Sequence, residues 1–168
     1  IIIPTYNEAK NLPQLLTRID KALDGVQHEI IIVDDNSPDG TADVARKLST
    51  CYPVKTLVRQ TKLGLGTAVV LGFEHASGVI LAVIDADLQH PPEILADLLS
   101  EVRSGSDLVV ASRYIQKGGM DDWSLIRKIN SKGAIFLAHI LLPNCRKITD
   151  PMSGFFMLKR SLIQGIEL

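Results

Sequence analysis

The chain has 168 residues, of which 46% are hydrophobic and 22% charged. That mix excludes a disordered or low-complexity chain and is enough for one domain with its own core. Eighteen Lys and Arg stand against 19 Asp and Glu, and the net charge of -1 gives no global reason to expect nucleic-acid binding.

Short apolar runs alternate with amphipathic stretches. The runs fall at residues 1–3, 29–33, 54–58, 79–84 and 107–111, rich in Val and Ile and nearly continuous. Such runs predict parallel strands buried on both faces. Residues 11–23 place Leu12, Leu15, Leu16, Ile19 and Leu23 on one helical stripe, and further helical patterns occupy 41–48, 65–76 and 91–102. The last opens with Pro91 and Pro92, tolerated in a first turn because their missing N–H has no helical partner there anyway. Strand–helix alternation predicts an α/β sheet with right-handed crossovers. Beyond residue 113 come Gly118-Gly119, a helical segment near 123–142, Pro143, and a short strand-like piece at 154–158. The whole reads as a single domain over 1–168. Because it opens inside an apolar run without Met and stops without a cap, it reads as a fragment, with membrane segments after Leu168 left open. The longest apolar stretch, 133–143, falls short of the roughly 18 residues a span requires. Two cysteines, Cys51 and Cys145, match no metal spacing and read as free thiols.

In open parallel sheets, ligands bind beyond the carboxyl ends of the strands. The polar clusters fall there: Pro4-Thr5-Tyr6-Asn7-Glu8, Asp34-Asp35-Asn36-Ser37-Pro38-Asp39-Gly40, Asp85-Ala86-Asp87-Leu88-Gln89-His90 and Ser112-Arg113. Asp85 to Gln89 follows a strand, and alternate residues of an extended chain point one way, so Asp85, Asp87 and Gln89 are expected to converge as hard oxygen ligands. Few carboxylates with open positions suit Mg²⁺ or Mn²⁺ shared with substrate phosphates. The competing reading is an Asp turn capping the following helix. Asp35 is a candidate acceptor for a ribose or base, against a turn capped at Asp39 or Thr41. Tyr6 and Glu8 offer an aromatic wall and an acceptor for a nucleobase, against a loop capped by Asn7 or Asn11.

Lys62-Leu63-Gly64-Leu65-Gly66 fails as a dinucleotide fingerprint, because Val69 stands where the third Gly belongs. It reads as a Gly-rich turn opening a helix, or as a Lys62 contact to a ligand phosphate. His28, His75 and His139 read as structural, and His90 as a turn residue or a ligand. Charge is uneven: residues 1–50 carry eight acids and five bases, whereas 113–147 carry seven bases and two acids. Arg127 and Ser131, like Lys128 and Lys132, lie one helical turn apart. Basic forks suit phosphate oxygens. The apolar residues that follow, Ile135 to Leu137 and Ile140 to Leu142, fit either a membrane surface or burial under the sheet.

In order along the chain, P-T-Y-N-E (4–8), V-D-D-N-S-P-D-G-T (33–41), K-L-G-L-G-T-A (62–68), D-A-D-L-Q-H-P-P-E (85–93), S-R-Y (112–114) and D-P-M-S-G-F-F (150–156) resemble the catalytic domain of family-2 glycosyltransferases. The likeness covers nearly the whole chain and is strongest to the dolichol- and polyprenyl-phosphate mannose branch. It implies a GT-A, Rossmann-like, open and mostly parallel sheet flanked by helices. It also implies an inverting, metal-dependent transfer of mannose from GDP-mannose to a dolichyl or polyprenyl phosphate, with a UDP-sugar donor as the alternative. By resemblance, Pro4, Tyr6, Glu8, Val33 and Asp35 hold the nucleoside, Asp85 and Ala86 touch the nucleotide-sugar, and Asp87 and Gln89 ligate Mg²⁺ or Mn²⁺, with Asp85 a further candidate. Arg113 lies near the diphosphate, and Arg127 and Ser131 at the acceptor phosphate. Asp87, Arg113 and Arg127 would carry the catalysis. The resemblance implies work on the cytoplasmic face of a membrane and no nucleic-acid partner.

Two rivals are weaker. A phospho-acceptor receiver domain expects a Lys after its last strand, where Ser112-Arg113 stands here. A sugar-nucleotide-forming nucleotidyltransferase expects a Gly-rich amino-terminal loop, and Pro4 to Glu8 contains no Gly.

Overall fold

The computed structural model describes residues 1–61, 64–111 and 153–165. The elements, in chain order, are β1 (Ile2–Thr5), α1 (Leu12–Ala22), β2 (Ile30–Asp34), α2 (Thr41–Leu48), β3 (Val54–Val58), α3 (Leu65–His75), β4 (Ile80–Val83), α4 (Ile94–Arg103), β5 (Leu108–Val110) and β6 (Phe156–Lys159). Six strands form one sheet in the order β3-β2-β1-β4-β6-β5. β1 pairs in parallel with β2 and β4, and β2 with β3. β6 is antiparallel to both β4 and β5.

The pleat of β2 explains the layering. Ile30 and Ile32 face one side of the sheet, where they meet Leu12, Leu15, Leu16 and Ile19 of α1 and Leu95 and Leu98 of α4. Ile31 and Val33 face the other, where Ala68 and Phe73 of α3 cover them. The α1 stripe expected from sequence is the buried face of that helix. Burying each such Leu or Ile contributes roughly 1.5–3 kcal/mol. α3 approaches unusually closely: a methyl group on Gly72 would collide with the Ile2 side chain, with Ile2 Cγ1 only 2.8 Å away.

Four expectations need correction. β3 is a half-exposed edge strand, because nothing pairs on its outer side among the described residues. β5 is likewise incompletely buried and bonds only to the antiparallel β6, although it runs in the same direction as β4. Asn11 does not cap α1 with its side chain: its amide Nδ2 donates instead to Glu8 Oε2 at 2.6 Å, while the Glu8 carbonyl accepts the N–H groups of Asn11 and Leu12. α4 begins at Ile94, after a turn in which the carbonyls of Pro91 and Pro92 accept the N–H groups of Ile94 and Leu95.

Strand order reverses between β1 and β4. β2 and β3 lie to one side of β1, and the chain then returns to place β4 on the other. The carboxyl ends of β1 and β4 therefore border the crevice where open α/β sheets take ligands.

Candidate active site

The loops after β1 and β2 are laced together. The Asn7 N–H donates to Ser37 Oγ at 2.9 Å, the Glu8 N–H to Thr41 Oγ1 at 2.9 Å, and the Ala9 N–H to Asp39 Oδ2 at 3.1 Å. Asp39 also accepts the Thr41 N–H and hydroxyl through Oδ1, so it braces the entry to α2 one residue before left-handed Gly40. Slight burial opposes ionisation of Asp39, but the Thr41 hydroxyl and the Ala9 and Thr41 N–H groups outweigh it and hold the carboxyl below its ordinary range. Tyr6 stands 41% exposed on this rim. Pro4 and Val33 are paired across β1 and β2, and Val33 is fully buried under α3. Val33 therefore has no exposed surface to offer a ligand, and its strand is paired on both sides within the sheet. Ala86 is nearly as buried, at 3% exposed.

The paired acids at the end of β2 divide into two roles. Asp34 is completely buried and accepts from Thr5 Oγ1 at 2.9 Å, Ser37 Oγ at 2.6 Å and the Ser37 N–H at 2.9 Å. It shapes the turn in which Asn36 is left-handed. Asp35 turns instead toward Arg59, whose Nε donates to Asp35 Oδ1 at 2.5 Å. Both side chains are at most 8% exposed. The other arms of the guanidinium reach Thr67 Oγ1 at 2.6 Å and the Gly64 carbonyl at 2.9 Å. One buried fork thus ties the end of β2, the end of β3 and the start of α3 into one corner. Sequence reading missed Arg59. Its signal was a single base immediately after a strand, opposite an acid at the end of the neighbouring one.

The Asp85 segment is not the extended ligand ladder expected. Residues 86–90 form a turn, and Leu88 adopts a left-handed φ of 60°. Asp87 Oδ1 accepts the Gln89 N–H at 3.0 Å, which closes that turn. Alternation therefore does not present Asp85, Asp87 and Gln89. Asp87 and Gln89 are exposed on the turn, and Asp85 is half-buried at the end of β4. His90 is 7% exposed and meets the Phe155 ring edge-on at a centroid distance of 5.6 Å, a packing role. His28 and His75 place Nδ1 against the carbonyls of Val26 and Leu71, at 2.8 and 2.9 Å, as structural histidines do.

Among the described residues no group of three or more His, Cys, Asp and Glu side chains is placed to hold a metal. That rules out a closed protein cage there, but suits an open site in which one or two carboxylates and an amide share a hard cation with phosphate oxygens. Asp87, Gln89 and Asp85 have that chemistry. Lys62, Arg113, Arg127 and Ser131 lie outside the described residues, as do Cys145 and His139. A cavity of about 420 Å³ lies at the opposite, amino edge of the sheet, lined by Ile1, Val26, His28, Glu29, Ser77 and Ile80 among others. None of its lining residues belongs to the loops after β1, β2 or β4. Among the described residues no helix is long and apolar enough to cross a membrane.

Residues 1–166 match the family described as Glycosyl transferase family 2. The whole chain is 49% identical to 48% of the length of a dolichol-phosphate mannosyltransferase from Pyrococcus furiosus. It is 38% identical, over all of this chain and 64% of the relative, to a polyprenol monophosphomannose synthase from Mycolicibacterium smegmatis. The chain thus spans about half to two thirds of the length of these relatives. In structure, 96% of it superposes on 56% of the glucosyl-3-phosphoglycerate synthase from Mycobacterium tuberculosis, solved with Mn²⁺, UDP-glucose and phosphoglyceric acid, with a TM-score of 0.73 at 22% identity. At that identity the likeness speaks for the fold. With the sheet, the switch-point crevice and the ordered motifs in agreement, the chain belongs to glycosyl transferase family 2.

Proposed function

We propose that this chain is the catalytic part of an inverting, metal-dependent transferase that moves mannose from GDP-mannose to a dolichyl or polyprenyl phosphate at the cytoplasmic face of a membrane. The observation that carries this reading is the gathering of Tyr6, Glu8, Asp35, Asp85 and Asp87 on loops at one edge of one sheet, around its switch point. The relatives named for mannose transfer to lipid phosphates support the substrate class.

Tyr6 would stack on the guanine, and Glu8 and Asp35 would accept from the nucleoside. The Asp35 carboxylate is held for that role by Arg59. Asp87 and Gln89 would hold Mg²⁺ or Mn²⁺, with Asp85 adjoining. When bound, such an ion supplies positive charge to the departing diphosphate. Arg113 would add a further cation beyond β5, and Arg127 and Ser131 would grip the acceptor phosphate. In the reaction a phosphate oxygen of the lipid forms a bond to the anomeric carbon. The bond from that carbon to the diphosphate oxygen breaks, and its electron pair leaves with GDP. A phosphate monoester with a second pKa of about 6 is already ionised near neutral pH, so no proton moves and no general base is required. What remains for the protein is alignment of two anions that repel one another.

Thermal shift with GDP-mannose and with UDP-glucose, each with and without Mn²⁺, tests the donor and the metal together. The expected result is a rise in Tm that is largest with GDP-mannose plus Mn²⁺, because a ligand that binds only the folded state stabilises it by mass action. A rise with UDP-glucose alone would replace the donor, and no rise with any combination would overturn the reading. Transfer of labelled mannose to dolichyl phosphate, against phosphoglycerate as a soluble control, tests the acceptor.

A further inference from the structure

The segment Ser153-Gly154-Phe155, remote in sequence from the other site loops, touches the donor edge at three points. The antiparallel register pairs Val83 with Phe156, and continuing it places Asp85 opposite Gly154. A methyl group on Gly154 would overlap Asp85 Oδ2 and stand 2.8 Å from both Asp85 Cγ and Oδ1. Gly154 does not share the positive φ of the chain's turn glycines. An added side chain there would be opposed by the position of the neighbouring carboxylate and not by the backbone conformation of Gly154. On one side, Ser153 Oγ donates to the Ala111 carbonyl at 2.8 Å, and the Ala111 N–H donates to the Phe155 carbonyl at 2.9 Å. These bonds fix the exit of β5 that leads to Ser112 and Arg113. On the other side, Phe155 is fully buried and its ring backs His90, the residue after Gln89.

From these contacts we infer that Gly154 is a positioning residue for the sugar-nucleotide donor: it admits the Asp85 carboxylate against the segment that leads into β6, while Ser153 and Phe155 fix the chain on either side. The inference rests on the donor reading above. An added side chain at 154 displaces Asp85 from the crevice without touching the donor itself.

The test is calorimetric binding of GDP-mannose with Mn²⁺ to the full chain and to Gly154→Ala, Asp85→Asn and the double variant. Gly154→Ala is expected to weaken donor binding at least tenfold. The double variant should bind within about twofold of the weaker single variant, because both changes disable the same carboxylate. Gly72→Ala supplies the structural control. It drives a methyl group into Ile2, away from the crevice, and should lower Tm while leaving the donor Kd unchanged. Unchanged binding in Gly154→Ala, or losses that multiply in the double variant, would overturn the inference. Absence of Mn²⁺-linked binding in the unaltered chain would instead overturn the donor reading on which it rests. Should Gly154→Ala not fold, the added change Asp85→Ala is expected to restore folding by removing the group it strikes, and failure to do so would equally overturn the inference.

Discussion

The two edges of the sheet handle backbone strain differently. At the carboxyl edge, the loops after β1, β2 and β4 each contain a non-glycine residue with positive φ: Asn7 at 63°, Asn36 at 54° and Leu88 at 60°. At the amino edge, the turns that precede β2 and β5 and the one that follows β6 make the same excursion with Gly25, Gly105 and Gly165. A left-handed conformation costs an ordinary residue about 1–2 kcal/mol, less for Asn, and almost nothing for Gly. The amino edge takes the cheap solution. The carboxyl edge uses glycine too, at Gly40 and Gly64, but it also keeps side chains at Asn7, Asn36 and Leu88 where glycine would be easier, and Ser37, Asp39 and Thr41 cross-link the loops after β1 and β2. Strain held in place by a surrounding network is expected where geometry matters to chemistry. The contrast sets the carboxyl edge apart from the amino edge, where a cavity encloses about 420 Å³.

That contrast can be broken from several directions. Arg59→Met should have the largest effect, about 3–5 kcal/mol in denaturant unfolding, because it leaves Asp35 buried and unpaired. Adding Asp35→Asn should recover part of the loss. Asp87→Ala should reduce mannose transfer at least a hundredfold, about 2.7 kcal/mol in the barrier, with only a small drop in Tm, because the residue is exposed and loses one turn hydrogen bond, from the Gln89 N–H. Near-normal transfer would remove Asp87 from the site. Next, Asn36→Val should lower stability by roughly 1–2 kcal/mol, since a branched side chain resists the left-handed turn. Asn36→Gly should leave Tm nearly unchanged, and a large drop there would mean that the Asn side chain, not the turn, is what matters.

The smallest effects concern pH. Asp39 and Glu93 both have carboxyls held below their ordinary range, Glu93 by the Arg18 fork at 2.8 and 2.7 Å, with slight burial opposing. A carboxyl with a depressed folded pKa stabilises the fold above its unfolded pKa, and that stabilisation is lost as pH falls through the folded value. Glu93→Gln should therefore cost under about 1 kcal/mol at pH 7 and progressively less below the reference value of 4.5. A cost that persisted undiminished at pH 2 would show that packing, not charge, joins α1 to α4.

Much of the fold was legible because its elements are local. The 41–48 helix and the 54–58 strand coincide with α2 and β3, and the α1 stripe is the face that packs. The order of polar loops along one edge follows from strand direction alone. The shape of the Asp85 turn was not legible, since no periodicity announces a left-handed Leu88. Nor were the partners of Asp35 and Asp85. Arg59 comes from just past the end of the neighbouring strand, and Gly154 arrives through an antiparallel register set some seventy positions downstream. Spacing within a motif says what chemistry is present. Which groups face each other is decided by sheet pairing.

The antiparallel insertion of β6 has a consequence for biosynthesis. β5 ends at Val110, yet the strand that joins it to β4 begins at Phe156. While the intervening stretch is still being translated, the nascent sheet exposes β4 as a raw margin able to pair with the wrong chain. The side of the crevice that Gly154 contributes beside Asp85 is added only after this late strand leaves the ribosome. Ribosomes stalled before that point should carry a chain with β1 to β4 already protected from proteolysis but with no affinity for nucleotide.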